Sequence, residues 1–291
     1  MHADPAFPSS ARALQNGQSV AMGTTDIRLT VIDSVLDRIA APSLEQLGFQ
    51  RLSKSWRHRA PGVDRRVLVR RSRYNTRDSG SLEIWLEATF DDLATDDDPH
   101  TFRWYAQDDD GSPWVSVYIA EAAGGRDGAH RRFAQVWQTR FLPVVAASES
   151  VSGLIELAQT TSDAAVATAG MSLAFDARDL DSARALLQRT FALTRDRATE
   201  AARRAPGIRP DIQTPERREL TNAVCEYATL FSWADRLRAS VEAQYVSTAR
   251  TLLDASRTTW LLPSPYVEPY ARFASELARA IDYPLDLTAA D

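Results

Sequence analysis

Two runs of three aspartates, four histidines and a single cysteine are the residues of this chain whose types could do chemistry. Asp96-Asp97-Asp98 and Asp108-Asp109-Asp110 offer hard oxygens to a cation, yet neither has the alternating ligands and terminal glutamate of a calcium loop, and successive side chains point apart. They read as solvated turns, or as an acidic surface for a partner with a basic one. His2, His58, His100 and His130 share no metal-binding spacing. The chain has no Gly-x-Ser-x-Gly elbow, and Gly124-Gly125 and Gly128 precede no Lys-Ser or Lys-Thr of a phosphate loop. Cys225, beside Val224 on an apolar helix face, reads as a small buried hydrophobe, and a lone cysteine excludes an intramolecular disulfide or a cysteine cluster. These residues imply no catalytic group, metal or cofactor.

What the chain does have is sorted charge. From Arg51 to Arg77, nine arginines and Lys54 face Asp64 as the only acid; from Glu83 to Asp110, ten acids face Arg103 as the only base. Neighbouring strands would cancel much of this by pairing, with Arg66 and Arg70 opposite Glu83 and Glu87, and the same face would carry Trp85, Trp114 and Tyr118. Three outcomes are open for that face: cross-strand ion pairs that only solubilise it, a protein interface, which favours arginine among aromatics, or cover by C-terminal helices. The candidate partner-binding residues are therefore Asp96, Asp97, Asp98, Asp108, Asp109, Asp110, Arg66, Arg70, Trp85, Trp114 and Tyr118.

Strands must position them. In Leu82 to Phe90 the even positions are apolar and Glu83, Trp85, Glu87 and Thr89 take the other face, the signature of a half-buried strand. Val63 to Arg71 reads as its partner, with Val67 and Val69 inward and Arg66, Leu68 and Arg70 outward; Trp114 to Ala120 reads as a further strand, and Phe49 to Arg59 and Thr101 to Gln107 as two more. Before them, Ile32, Val35, Leu36 and Ile39 share a helix face that Pro42 should break or restart. After Gly124-Gly125 the spacing becomes three and four. Helices are expected around Phe133 to Leu142, broken by Pro143 or by the turn at Ser148 to Ser152, then at Val151 to Leu157, at a segment capped by Asp179 or Asp181, from Thr214-Pro215 to Leu262 as one long helix or a pair, and at Val267 to Ile281. Residues 163 to 176 read as a loop or a short strand at Met171 to Phe175.

The segment Leu44-Glu45-Gln46-Leu47-Gly48-Phe49, the following Trp56-Arg57 and the later Leu142-Pro143 resemble a bacterial domain-of-unknown-function family, number 4304, over residues 26–160. The resemblance implies a fold type and no activity. The arginine-rich strand, the acidic insertions and everything after Thr160 depart from it.

With 291 residues and 44% hydrophobic content the chain can bury a real core. The expected fold class is α+β: an N-terminal helix on an antiparallel sheet, followed by an all-helical C-terminal half. Residues 1–26 read as a disordered tail, 27–125 as the sheet domain, and 126–291 as helices on or beside it. A net charge of −5 makes nucleic acid an unlikely partner. No apolar run is long enough to span a bilayer, and a cytoplasmic location is expected. Charge without catalytic motifs points to a non-catalytic binding protein, an immunity or antitoxin-like inhibitor whose acidic loops meet a basic protein. The alternative is an enzyme with an unrecognised Asp, Glu and Arg site for a phosphorylated or nucleic-acid substrate.

Overall fold

A two-residue turn sets the register of the sheet. Pro61-Gly62 joins β2 (Ser55–Ala60) to β3 (Val63–Arg71), with Gly62 at φ +83, the left-handed conformation a Pro-Gly turn asks of its second residue. Ala60 then pairs with Val63, Arg57 with Arg66 and Trp56 with Val67. β3 runs antiparallel to β4 (Ser79–Phe90), whose other edge holds both β5 (Thr101–Tyr105) and β6 (Trp114–Tyr118), while β1 (Gln50–Arg51) pairs with β2. The result is a six-stranded antiparallel sheet in an α+β fold. The computed structural model describes residues 30–53, 55–93, 101–106, 114–118, 124–205, 214–259 and 267–285.

Alternation decides the inner face. Leu82, Ile84, Leu86, Ala88 and Phe90 are buried there, and Trp56, Val67, Phe102, Trp104, Val115 and Val117 join them from the flanking strands. Helices pack on that side. One run comprises α1 (Val31–Val35), a π-helical turn at Leu36–Ala40 and α2 (Ala41–Gln46); another comprises α3 (Gly125–Val136), a π-helical turn at Trp137–Phe141 and α4 (Leu142–Ala147). Pro42 and Pro143 each occupy the first turn of the segment after the π turn, so neither ends its run. Proline lacks the N–H and crowds the carbonyl four residues back, and the wider turn just before it absorbs both effects. The two wide turns are tied together: Trp137 Nε1 donates to Ser43 Oγ at 2.9 Å, and Ser43 Oγ donates to the Ile39 carbonyl at 2.5 Å.

The helices that follow are α5 (Val151–Thr160), α6 (Ala164–Asp176), α7 (Leu180–Arg204), α8 (Pro215–Arg236), α9 (Ala243–Thr259) and α10 (Val267–Ala280). Helix α6 corrects the expected loop or short strand. Asp163 caps it by accepting from the N–H groups of Ala165 and Val166, and its sequence is apolar on nearly every side, which hides the 3.6-residue period. Asp179 caps α7 and Thr214 caps α8, with Pro215 opening the latter. The stretch from Thr214 resolves into the pair α8 and α9, divided after Leu237 although no glycine or proline stands there. One continuous buried cluster runs from Val31 to Ile281 and joins the sheet to the helices.

Candidate binding face of the sheet

The outer face of the sheet is built in rows, because paired residues on adjacent strands project to the same side. One row is Arg57, Arg66, Glu87 and Arg103; the next along the strands is Ser55, Leu68, Trp85 and Tyr105; a third is Arg59, Asp64, Thr89 and Thr101. Arg70 pairs with Glu83, and Glu83 pairs on its other side with Trp114. Arg66 and Arg70 thus lie opposite the expected glutamates. Trp114 and Tyr118 hold outer-face register positions through their pairing with Glu83 and Ser79. Asp96, Asp97, Asp98, Asp108, Asp109 and Asp110 lie outside the described residues.

The ion pairs differ from a simple cross-strand ladder. Arg70 Nη2 meets Glu83 at 2.7 Å, but Glu87 takes Arg103 at 2.8 Å and accepts the Trp85 Nε1 hydrogen bond at 3.1 Å. Arg66 turns instead to Asp64 on its own strand, at 3.3 Å, where Arg59 approaches to 3.5 Å and Arg57 binds both carboxylate oxygens. Asp64, the one acid of the basic block, is therefore the hub of three guanidiniums, a role sequence reading missed although the Pro-Gly hairpin and period-two spacing place residues 57, 59, 64 and 66 together. The hydrogen bonds from Arg57 hold its carboxyl below the usual carboxylate range, against the opposing pull of burial.

Long side chains sort the charges by height. Arg70 is 61% exposed above a Glu83 side chain that is 9% exposed, and Arg103 stands 55% exposed over Glu87. Arginine stems cross the strands and lift their heads to solvent, while the shorter carboxylates stay near the backbone. Trp85 stacks on Tyr105, ring centroids 5.8 Å apart, and Tyr105 keeps 36% of its surface exposed. Among the described residues no helix covers these groups, and the helices pack on the inner face; of the three outcomes open for this face, cover by C-terminal helices is not seen there.

The inner face holds a second charged group. Arg65 projects into the core with its side chain 1% exposed. Its Nη1 donates to the Val145 carbonyl in the last turn of α4 at 3.2 Å, its Nη2 lies 2.9 Å from His58 Nδ1 and 3.5 Å from Glu149, and its guanidinium covers the Phe49 ring at 5.0 Å. Arginine can only donate, so His58 Nδ1 accepts and the imidazole is neutral with its proton on Nε2. Burial lowers the His58 pKa, the Arg65 charge lowers it further, and Glu149 opposes both. Gly48, at φ +80, leaves the room: a Cβ there would stand 3.0 Å from His58 Cδ2.

A cleft of 1080 Å³ opens among the helices, lined by α6, α7 and α8 with Thr139, Arg140 and Phe273 at its margins. Helical threonines that line it donate to their own helices, Thr168 to Ala164, Thr194 to Thr190 and Thr229 to Cys225, while Thr161 Oγ1 accepts from the Asp163 N–H. Burial, and then Glu226, push the Cys225 thiol up, which keeps it protonated and a poor nucleophile. His58, Arg65 and Glu149 do not line this cleft. Among the described residues no three His, Cys, Asp or Glu side chains converge as a metal site, and no helix is long and apolar enough to cross a membrane. Comparison with known proteins finds no matching family model and no matching curated protein or solved structure.

Proposed function

We propose that this is a non-catalytic binding protein, of the immunity or antitoxin-like inhibitor kind, that meets its partner through the outer face of its sheet. The observation that supports it is a cluster of five arginines around three carboxylates among the described residues, four of the arginines more exposed than the acids they pair with, beside an aromatic pair and on a face no described helix covers. Arginine and aromatics are the residues that protein interfaces enrich. The groups that could have done chemistry are engaged elsewhere: His58 accepts from Arg65, and the cleft hydroxyls bond their own helices. The acidic runs Asp96 to Asp98 and Asp108 to Asp110 bracket β5 in sequence and supply a second, oppositely charged contact. They steer encounter, as rim charges do.

The test is capture from the native host with the wild-type protein, with an Arg59→Glu, Arg66→Glu, Arg70→Glu variant, and with a variant carrying Asn at all six aspartates. A partner held by the wild type should be lost from the arginine variant, while the Asn variant should associate more slowly at low salt and equally at 1 M salt. A partner retained by both variants, with unchanged kinetics, overturns this reading.

A further inference from the structure

The cleft among the helices shares no residue with the sheet and has chemistry of its own. We propose that it binds an organic amine, a protonated amino group on an apolar body about 10 Å long. The long axis of the cleft follows from the helix hairpins. The three-residue link after Asp176 turns α7 back along α6, and α8 lies antiparallel to α7, as the pairing of Arg197 with Glu226 and of Arg204 with Glu219 shows. Helices α6 and α8 therefore run the same way as two walls, with Leu193 and Thr194 of α7 as the floor. The walls meet at Phe175 and Trp233, whose rings stand edge to face 5.3 Å apart. Trp233 and Leu230 line that end, and Asp163, at the start of α6, lines the other. Glu226, paired to Arg197, lies seven residues before Trp233, which is about 10 Å of helix.

The lining mostly accepts hydrogen bonds. The hydroxyls of Thr139, Thr168, Thr190, Thr194 and Thr229 each donate to the carbonyl four residues back, so their oxygens have only lone pairs left for a ligand. Thr161, Ser162 and Ser172 can donate as well as accept. Arg197 pairs with Glu226, and Glu219 with Arg204 at 3.3 Å. Arg140 is exposed at the margin and already engaged. Asp163 differs. Its Oδ1 accepts from the N–H groups of Ala165 and Val166 at 2.8 and 3.3 Å, and its Oδ2 meets neither a hydrogen-bond donor nor a cation among the described residues. Of the four N–H groups that a helix start leaves open, three are thus taken, the third being Asp163's own, which donates to Thr161 Oγ1 at 3.0 Å. An anion entering at this end would meet the Asp163 carboxylate across a helix start with one open N–H. An ammonium would find Asp163 Oδ2 and hydroxyl lone pairs for its three protons, and Leu230 and Trp233 for its apolar body.

The experiment is calorimetric titration of the full-length protein at pH 7 with three molecules of one skeleton: 4-phenylbutylamine, 4-phenylbutan-1-ol and 4-phenylbutyrate. The amine should bind best and the alcohol about fivefold more weakly, the difference between a hydrogen bond to a charged and to an uncharged group. The carboxylate should bind more weakly still. Asp163→Asn keeps a capping residue at the start of α6 and removes the charge; it should bring the amine down to the affinity of the alcohol and leave the alcohol unchanged. Ala169→Leu, which fills the trough between the walls, should weaken amine and alcohol alike, and thermal unfolding shows whether each variant remains folded. Equal affinity of the wild type and Asp163→Asn for the amine would mean attraction to the acidic chain at large and overturns the inference. A carboxylate that binds as tightly as the amine overturns it too, as does the lack of saturable amine binding by the wild type at millimolar concentration.

Discussion

Arg65 and Arg66 are neighbours on one strand and live in opposite physical worlds. Arg66 projects outward, its side chain 48% exposed. Its contact with Asp64 is screened and worth on the order of 1 kcal/mol or less. Arg65 projects inward, loses its hydration, and is held by a helix-end carbonyl, a neutral histidine, a glutamate and the face of Phe49. Burial lowers its pKa and Glu149 opposes the shift. The inner arginine fastens β3 to the end of α4, where the exposed carbonyls carry the negative end of the helix dipole. The outer one fastens little and is free to be used. One residue of register separates structure from recognition.

The largest effect should therefore come from the inner face. Arg65→Ala removes a buried volume and one of the two donors to the Val145 carbonyl, which keeps the Ser148 hydroxyl at 2.6 Å, and should cost about 3 to 5 kcal/mol, the range for truncating a large core side chain. Arg65→Met refills the space and should recover more than half, leaving roughly 1 to 3 kcal/mol for the two hydrogen bonds to the Val145 carbonyl and His58 Nδ1 that it no longer makes. Arg66→Ala should cost less than about 0.5 kcal/mol. Urea unfolding of the three variants measures this, and equal losses from Arg65→Ala and Arg66→Ala would erase the distinction between the faces.

A smaller effect follows from the histidine beside Arg65. The folded His58 titrates below its ordinary value of about 6.5. Between those two values the unfolded chain takes up a proton that the fold refuses, so stability falls as pH drops through the window and is fully present above it. Protonation would also set a cation against Arg65 at 2.9 Å. One group can contribute at most about 1.4 kcal/mol per pH unit, and a half-buried His58 should supply a fraction of that. His58→Gln keeps an acceptor for Arg65 and removes the titration. Unfolding free energies at pH 7.5 and 5.5 should show a larger loss for the wild type than for the variant; an equal loss would assign the pH dependence to other groups.

How much of this could be read beforehand varies with the kind of signal. Alternation exposed β3, β4 and the pairing of Arg66 and Arg70 with the glutamates, because one face of each strand is apolar and the period leaves no other register. The same alternation places Arg65 inward, between Val63 and Val67, yet a block of nine arginines draws attention to its sum and away from its members. Helix α6 escaped because Ala164 to Phe175 is apolar all round, so no face stands out. Pro42 could be read as a break or as a first-turn residue, and the next break could fall at Pro143 or at the Ser148 turn; the π turns that decide for the second reading in each case have no sequence signature. The Asp64 hub depends on hairpin geometry linking residues seven apart, which charge counting does not see.

The smallest effect concerns arginines whose side chains matter less than their backbone. Helices α6, α8 and α10 end on residues with positive φ that are not glycine: Arg178 at 61°, Arg238 at 47° and Asp282 at 52°. Each is followed by the reach-back bond that closes a helix, as when Ala239 N–H donates to the Ala234 carbonyl at 2.9 Å and Asp179 N–H to the Ala174 carbonyl at 2.9 Å. This is why the division between α8 and α9 had no marker in the chain. The left-handed conformation costs a residue with a Cβ about 1 to 2 kcal/mol, less for aspartate, whose short polar side chain tolerates it. Glycine removes that strain but adds freedom to the unfolded chain, offsetting roughly 0.4 to 1 kcal/mol. Arg238→Gly and Arg178→Gly should each stabilise by up to about 1 kcal/mol, and Asp282→Gly by less. All three side chains are exposed, so packing does not confound the comparison. Thermal unfolding of the three single variants gives the ranking; destabilisation by Arg238→Gly would mean that this exposed arginine, like the buried Arg65 and unlike Arg66, contributes through its side chain.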